Sequence, residues 1–177
     1  MSTATVLKDN QRDLDPEFDR LFREHYTMAY RTAYSVTGRV QDADDVVQTV
    51  FLRLLRREFP PDLSKNPKAY LYRAAFNTAV SVMRARRRSL IENVDAVEIP
   101  ATPAVPWVDD DLRGELYAAI AELHPRSAQI LILRYVHDYD LAEIAKTLGT
   151  TRSTVAVSLF RARAGLKKKI REMRKTS

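Results

Sequence analysis

The stretch EIAKTLGTTRSTVAVSLFRARAGLKKK, Glu143 to Lys169, decides how this chain folds. Leu141, Ile144, Ala145 and Leu148 recur at helical spacing and Gly149 follows at once, which predicts a short helix closed by a left-handed C-terminal cap. Thr151 or Ser153 can cap the next helix, whose Val155, Leu159, Ala162, Leu166 and Ile170 make one apolar stripe. Two short helices about a glycine turn are the outline of a helix-turn-helix. With that stripe inward, Ser153, Val157, Phe160 and Ala164 point outward, flanked by Ala156, Arg161 and Lys167, with Arg152 just before the helix. Arg, Lys, Gln or Asn usually read bases from such a face, whereas here its centre is apolar. An exposed Phe160 and Val157 are suited to thymine methyls; in the other reading Phe160 packs on a neighbouring helix or a protein partner.

Working outward, Leu112, Leu116, Ile120 and Leu123 space one helix, and Ala128, Leu131, Ile132, Tyr135 and Val136 another after Pro125. Further upstream the periodicity fails. Pro100, Pro103 and Pro106 lie between Glu92, Asp95 and Glu98 on one side and Asp109, Asp110 and Asp111 on the other, the composition of an extended acidic linker. Before it, Phe18, Leu21, Phe22, His25, Met28, Ala29 and Ala33 predict a helix from Pro16 that ends at Gly38. Val46, Val47, Val50, Phe51, Leu54 and Leu55 predict a second from about Gln41, stopped by Pro60-Pro61. Ser64-Lys-Asn-Pro67 reads as a cap and turn into a third, Pro67 to about Arg88, burying Tyr70, Leu71, Ala74, Ala75, Thr78, Val82 and Met83. The expected fold class is all-α: two small helical domains joined by a flexible acidic, proline-containing linker. How they sit relative to each other is left open by such a tether.

Composition narrows the chemistry. The 177 residues carry a net charge of +6, which favours a polyanionic partner, and no cysteine, which removes thiolate chemistry and cysteine-bound zinc. His25, His124 and His137 lack the i, i+4 pairing of a helical metal site and are read as structural. Four dispersed glycines make no phosphate loop. Asp42, Asp44 and Asp45 at a helix start are explained by the helix dipole. No catalytic residue, metal or cofactor is expected. Met1 to Asp15 is polar, without a signal-peptide core, and no run reaches membrane-spanning length, so a cytoplasmic protein is expected. Two basic clusters remain: Arg84 to Arg88, and the series Arg161, Arg163, Lys167, Lys168, Lys169, Arg171, Arg174 and Lys175. One per domain, they favour bipartite contact with nucleic-acid phosphates, although cations at helix C-termini and on solvated faces are common.

Three blocks, in order, carry a resemblance to the extracytoplasmic-function (ECF) group of bacterial RNA polymerase sigma factors. DADDVVQTVFLRLL, residues 42–55, resembles the helix that grips the polymerase clamp. PKAYLYRAAFNTAVSVMRARRR, residues 67–88, resembles the helix that recognises and melts the minus-10 element. The stretch quoted first resembles the minus-35 reader. Phe76 stands where the family often has arginine, Ser81 where it often has aspartate, and Thr154-Val-Ala-Val-Ser158 where it usually has Thr-Val-Lys-Ser-Arg.

The resemblance implies a disordered N-terminus over 1–15, a region 2-like domain over 16–89, a linker over 90–110 threading toward the polymerase channels, and a region 4-like domain over 111–177. It implies that Asp42, Asp45, Gln48, Phe51 and Leu52 meet polymerase. Tyr70, Arg73, Asn77, Arg84, Arg87 and Arg88 would meet minus-10 DNA. Arg152, Ser153, Thr154, Ala156, Val157, Phe160, Arg161, Arg163 and Lys167 would meet minus-35 DNA. Implied partners are the clamp and flap of core polymerase, promoter DNA and an anti-sigma factor, with a free chain that is monomeric and not inserted in a membrane. The rival reading is a stand-alone helix-turn-helix regulator, which would bind duplex as a dimer without polymerase and leave residues 42–55 without a task.

Overall fold

A computed structural model describes residues 16–56, 60–92 and 110–176, and among them every element is helical. The elements are α1 (Pro16–Thr37), α2 (Val40–Arg56), α3 (Pro61–Lys65), α4 (Pro67–Glu92), α5 (Asp110–Ala121), α6 (Pro125–Tyr135), α7 (Leu141–Leu148) and α8 (Arg152–Thr176). The expected disordered N-terminus and most of the expected linker lie outside the described residues.

α1, α2 and α4 pack as one unit. Ala29 and Ala33 of α1, Ala43 of α2, and Ala75 and Ala79 of α4 are fully buried, so the helix axes come close while Phe18, Val46, Val50, Leu54 and Leu71 fill the space between them. Gly38 ends α1 as expected, at φ 67°, with its N–H donating to the Tyr34 carbonyl at 2.8 Å. The short α3 escaped the sequence reading because five residues between prolines carry no period, yet it buries Leu63. The cap of α4 is Asn66, whose Oδ1 accepts from the Ala69 N–H at 3.0 Å, and not Ser64. α4 continues past Arg88 to Glu92, since Ser89-Leu-Ile-Glu92 contains no helix breaker.

In the second unit α6 and α7 brace α8. Asp140 and Glu143 form a reciprocal capping box at the start of α7, each bond 2.8 Å. Gly149 closes α7 at φ 62°, and Thr151 caps α8 by accepting from the Thr154 N–H at 3.2 Å. Val155, Leu159 and Ala162 of α8 face inward as the spacing requires. Of the stripe expected around α5, Ile120 and Leu123 pack against the core, Leu116 is exposed, and the Leu112 side chain lies outside the described residues.

The two units are docked. Tyr72 of α4 donates its hydroxyl to the Gln129 carbonyl of α6 at 2.9 Å, and Arg73 reaches the Thr147 carbonyl of α7 at 3.4 Å. Thr32 Oγ1 of α1 lies 2.9 Å from His137 Nε2, and the Arg31 guanidinium donates to the Val136 carbonyl. The Tyr117 ring of α5 meets Tyr34 edge-on at 5.7 Å and rests on Gly38, where a Cβ would lie 2.7 Å from the ring. Lys68 completes the seam over the Tyr139 ring at 4.4 Å. The arrangement left open by the tether is thus set by contacts from α1 and α4 to α5, α6 and α7.

Candidate nucleic-acid interface

α8 presents its outer face intact. Arg152, Ser153, Thr154, Ala156, Val157, Phe160, Arg161, Arg163 and Lys167 are all exposed. Phe160 is 74% exposed and Val157 51%, so the reading in which Phe160 packs within its own unit is overturned. An aromatic ring left this open on a helix-turn-helix is an apolar contact awaiting a partner. Ser153, Ala156 and Val157 lie on the same side, with Arg152 at the first turn and Arg161 and Lys167 toward the far end.

Arg163 is held in place by a residue the sequence reading assigned to the core. Tyr135, expected on the inner side of α6, is 54% exposed; its hydroxyl accepts from Arg163 Nε, and the guanidinium carbon lies 5.4 Å from its ring centre. The rest of the basic series divides. Lys169 pairs with Glu122, just past the end of α5, at 3.1 Å and Arg174 with Glu115 of α5 at 2.8 Å. Those two cations brace the unit, while Arg161, Arg163 and Lys167 keep outward positions.

On α4 the expected minus-10 residues fall on one stripe at i, i+4 and i+7 spacing. Asn77, Arg84 and Arg88 are exposed; Tyr70 and Arg73 are half-buried, Tyr70 against the core and Arg73 on the α7 carbonyl. The Arg87 side chain lies outside the described residues. Ser81 donates to the Asn77 carbonyl at 3.0 Å, one turn back. Phe76 is buried and stacks on Tyr72 with ring centres 6.4 Å apart. Its ring lines the seam with the second unit, beside Ile120, Leu123 and Ala128. Arg86, which the sequence reading treated as one of a cluster, pairs with Asp42 at 3.3 Å and fixes the start of α2.

α2 divides the residues expected to meet polymerase. Asp45, Gln48 and Leu52 are exposed, but Phe51 is only 3% exposed. It packs edge-on against Phe18 and Phe22, with ring centres 6.1 and 4.9 Å apart. The outward aromatic groups beside α2 are instead Phe22 and Tyr26, joined by Tyr30 and Tyr34 in a ladder along α1. A spacing of four residues signalled that ladder, although it reads equally as a core stripe. Asp42, tied to Arg86, is half-buried.

Each histidine has a local partner: His137 Nε2 lies 2.9 Å from Thr32 Oγ1, His124 Nδ1 accepts from the Arg126 N–H, and His25 lies beside Glu24. Burial, with Arg31 and Lys68 nearby, holds His137 well below its ordinary value, at about 4; burial also lowers His25. Among the described residues no group of acidic, histidine or cysteine side chains could hold a metal, and no helix is long and apolar enough to cross a membrane.

A sigma-70 region 2 profile matches residues 21–89 and a sigma-70 region 4 profile residues 113–166, together more than half of the chain. The chain is 30% identical over 159 residues to the ECF RNA polymerase sigma factor SigE of Mycolicibacterium smegmatis, covering 86% of this chain and 61% of that protein. It is 29% identical over 156 residues to the ECF RNA polymerase sigma factor SigL of Mycobacterium tuberculosis, covering 86% of this chain and 88% of that protein. The chain therefore spans less than two thirds of the SigE relative. In fold it is similar to the sigma factor RpoE of Bartonella quintana, solved with the anti-sigma factor NepR, at a TM-score of 0.58 and 21% identity over 88% of this chain and 97% of that one.

Proposed function

Because this chain belongs to the sigma-70 family, in its ECF group, we propose that it binds core RNA polymerase and directs it to promoters through minus-10 and minus-35 contacts. The observation that carries this reading is the pair of outward stripes, one per unit. On α4, Asn77, Arg84 and Arg88 combine a polar group for an unstacked base with cations for phosphates. On α8, Phe160 and Val157 offer apolar contacts to thymine methyls and Arg161, Arg163 and Lys167 offer phosphate contacts. Asp45, Gln48 and Leu52 on α2, with Phe22 and Tyr26 beside them, form the surface for the polymerase clamp. Phe51 acts behind that surface by holding Phe22.

The chain contributes recognition and no catalytic step of its own, works in the cytoplasm, and polymerase makes the RNA. RpoE of Bartonella quintana is bound by the anti-sigma factor NepR. By extension, this chain is held inactive by a partner of that kind. The decisive experiment is reconstituted run-off transcription with core polymerase on promoters mapped after overexpression. A promoter-dependent transcript that is lost without the chain supports the reading. Tight dimeric binding to duplex, with no co-migration with core polymerase on gel filtration, would sink it in favour of a stand-alone regulator.

A further inference from the structure

A partly open cavity of about 130 Å³, lined mostly by apolar side chains, lies in the seam between the two units. Phe76 and Met83 of α4 form one wall, Ile120, Leu123 and Ala128 the other, and Arg84 stands at the rim. Protein interiors rarely leave voids larger than a water molecule, because walls facing empty space lose their dispersion contacts. An enclosed apolar cavity of about 150 Å³ accepts benzene, so in size this space suits a single ring. Among the described residues no carboxylate pairs with the Arg84 guanidinium, so one cation at the edge of this space is available to an anion.

The geometry points to a binding site for a small aromatic or short-chain aliphatic carboxylate, its apolar body in the seam and its carboxylate on Arg84. Size selects a single ring; the guanidinium selects an anion over a neutral analogue by a charge-assisted, paired hydrogen bond. Since each unit supplies one wall, the site exists only while the units are docked. A ligand that binds one arrangement of a protein shifts the population toward it. Occupancy therefore strengthens docking and also engages Arg84, one of the minus-10 cations. That regulatory consequence rests on the promoter-reading role proposed above; the binding itself does not.

The test uses the full free chain with 4-fluorobenzoate as probe, followed by fluorine NMR and by melting temperature. A saturable titration with a rise of a few degrees is expected. The neutral 4-fluorobenzamide should bind about tenfold more weakly, a difference that Arg84→Gln should abolish. Ala121→Leu, which puts a larger side chain into the cavity wall, should remove binding. Should that variant misfold, the Arg84→Gln comparison still decides, because Arg84 is exposed. Non-saturable binding, equal binding of acid and amide to the unaltered chain, or undiminished binding to a folded Ala121→Leu would overturn the proposal. None of these measurements involves polymerase or promoter, so failure here is separable from failure of the transcription assay.

Discussion

The hydroxyl of Tyr72 donates to the carbonyl oxygen of Gln129 at 2.9 Å, joining α4 to α6 with a side chain only 1% exposed. Burial raises the Tyr72 phenol well above its ordinary value, so it stays protonated and remains a donor at any ordinary pH. Removing the donor leaves a part-buried carbonyl without this partner. Tyr72→Phe should therefore cost about 1 kcal/mol and lower the melting temperature by about 2–4 °C. Calorimetry checks this, and an unchanged melting temperature would mean the seam contributes nothing to stability.

His137 makes docking sensitive to acid. Its value in the folded chain is about 4, against an ordinary 6.5, because burial, Arg31 and Lys68 all disfavour the charged ring. A separated or unfolded chain takes up the proton first as pH falls through 6.5. Stability should be full above that point, decline between about pH 6.5 and 4, and level off below. Melting curves across that range test the sign, and His137→Gln should flatten this part of the profile.

Phe160 is open to solvent, and its removal leaves no cavity. Phe160→Ala should change stability by no more than about 0.5 kcal/mol while weakening use of the cognate minus-35 sequence by roughly 1 kcal/mol, about fivefold. Run-off transcription from promoters with and without that element separates the two effects. Loss of fold in this variant would contradict its exposure.

Arg163, oriented by Tyr135, is expected to meet a phosphate. Arg163→Gln should reduce the slope of log affinity against log salt by about one and weaken binding alike across promoter sequences. Tyr135→Phe keeps the ring and loses the hydroxyl, and its effect should be in the same direction but smaller. A sequence-dependent loss would instead assign Arg163 to a base.

Docking conflicts with the proposed reading of both promoter elements. Elements centred about 25 base pairs apart are about 85 Å apart along B-form DNA. A compact chain of this length has a radius of gyration of about 16 Å. The units should separate when the promoter complex forms. With no native cysteine to interfere, dyes at Thr27→Cys and Lys175→Cys can report this by energy transfer. Transfer should be high in the free chain and fall in the transcribing complex; constant transfer would refute separation.

The helices were legible because their periodicity is strong and their ends carry chemistry: Gly38, Gly149 and Pro67 each state a boundary, whereas the Asp140–Glu143 box emerged only with the structure. The docking was not legible, because Gln129, Val136 and Thr147 contribute backbone carbonyls, which every residue possesses. The outward face of α8 followed from its wheel, since Val155, Leu159 and Ala162 left one orientation. α2 was harder: its apolar stripe is wide, and whether Phe51 or a neighbour is outermost depends on Phe22, an aromatic from another helix. Tyr135 and Asp42 follow the same logic. Their roles come from Arg163 and Arg86, partners 28 and 44 positions away that no local pattern announces.

Gly38 turns the backbone into the left-handed region and also receives the Tyr117 ring on its bare face. Any larger residue there would strain the turn and displace the ring together, so natural variation at this position has no gradual course. Tyr117 is different, since trimming it through phenylalanine to alanine leaves the turn untouched. At this contact, therefore, the affinity of one half of the molecule for the other can be tuned in steps through Tyr117 but not through Gly38.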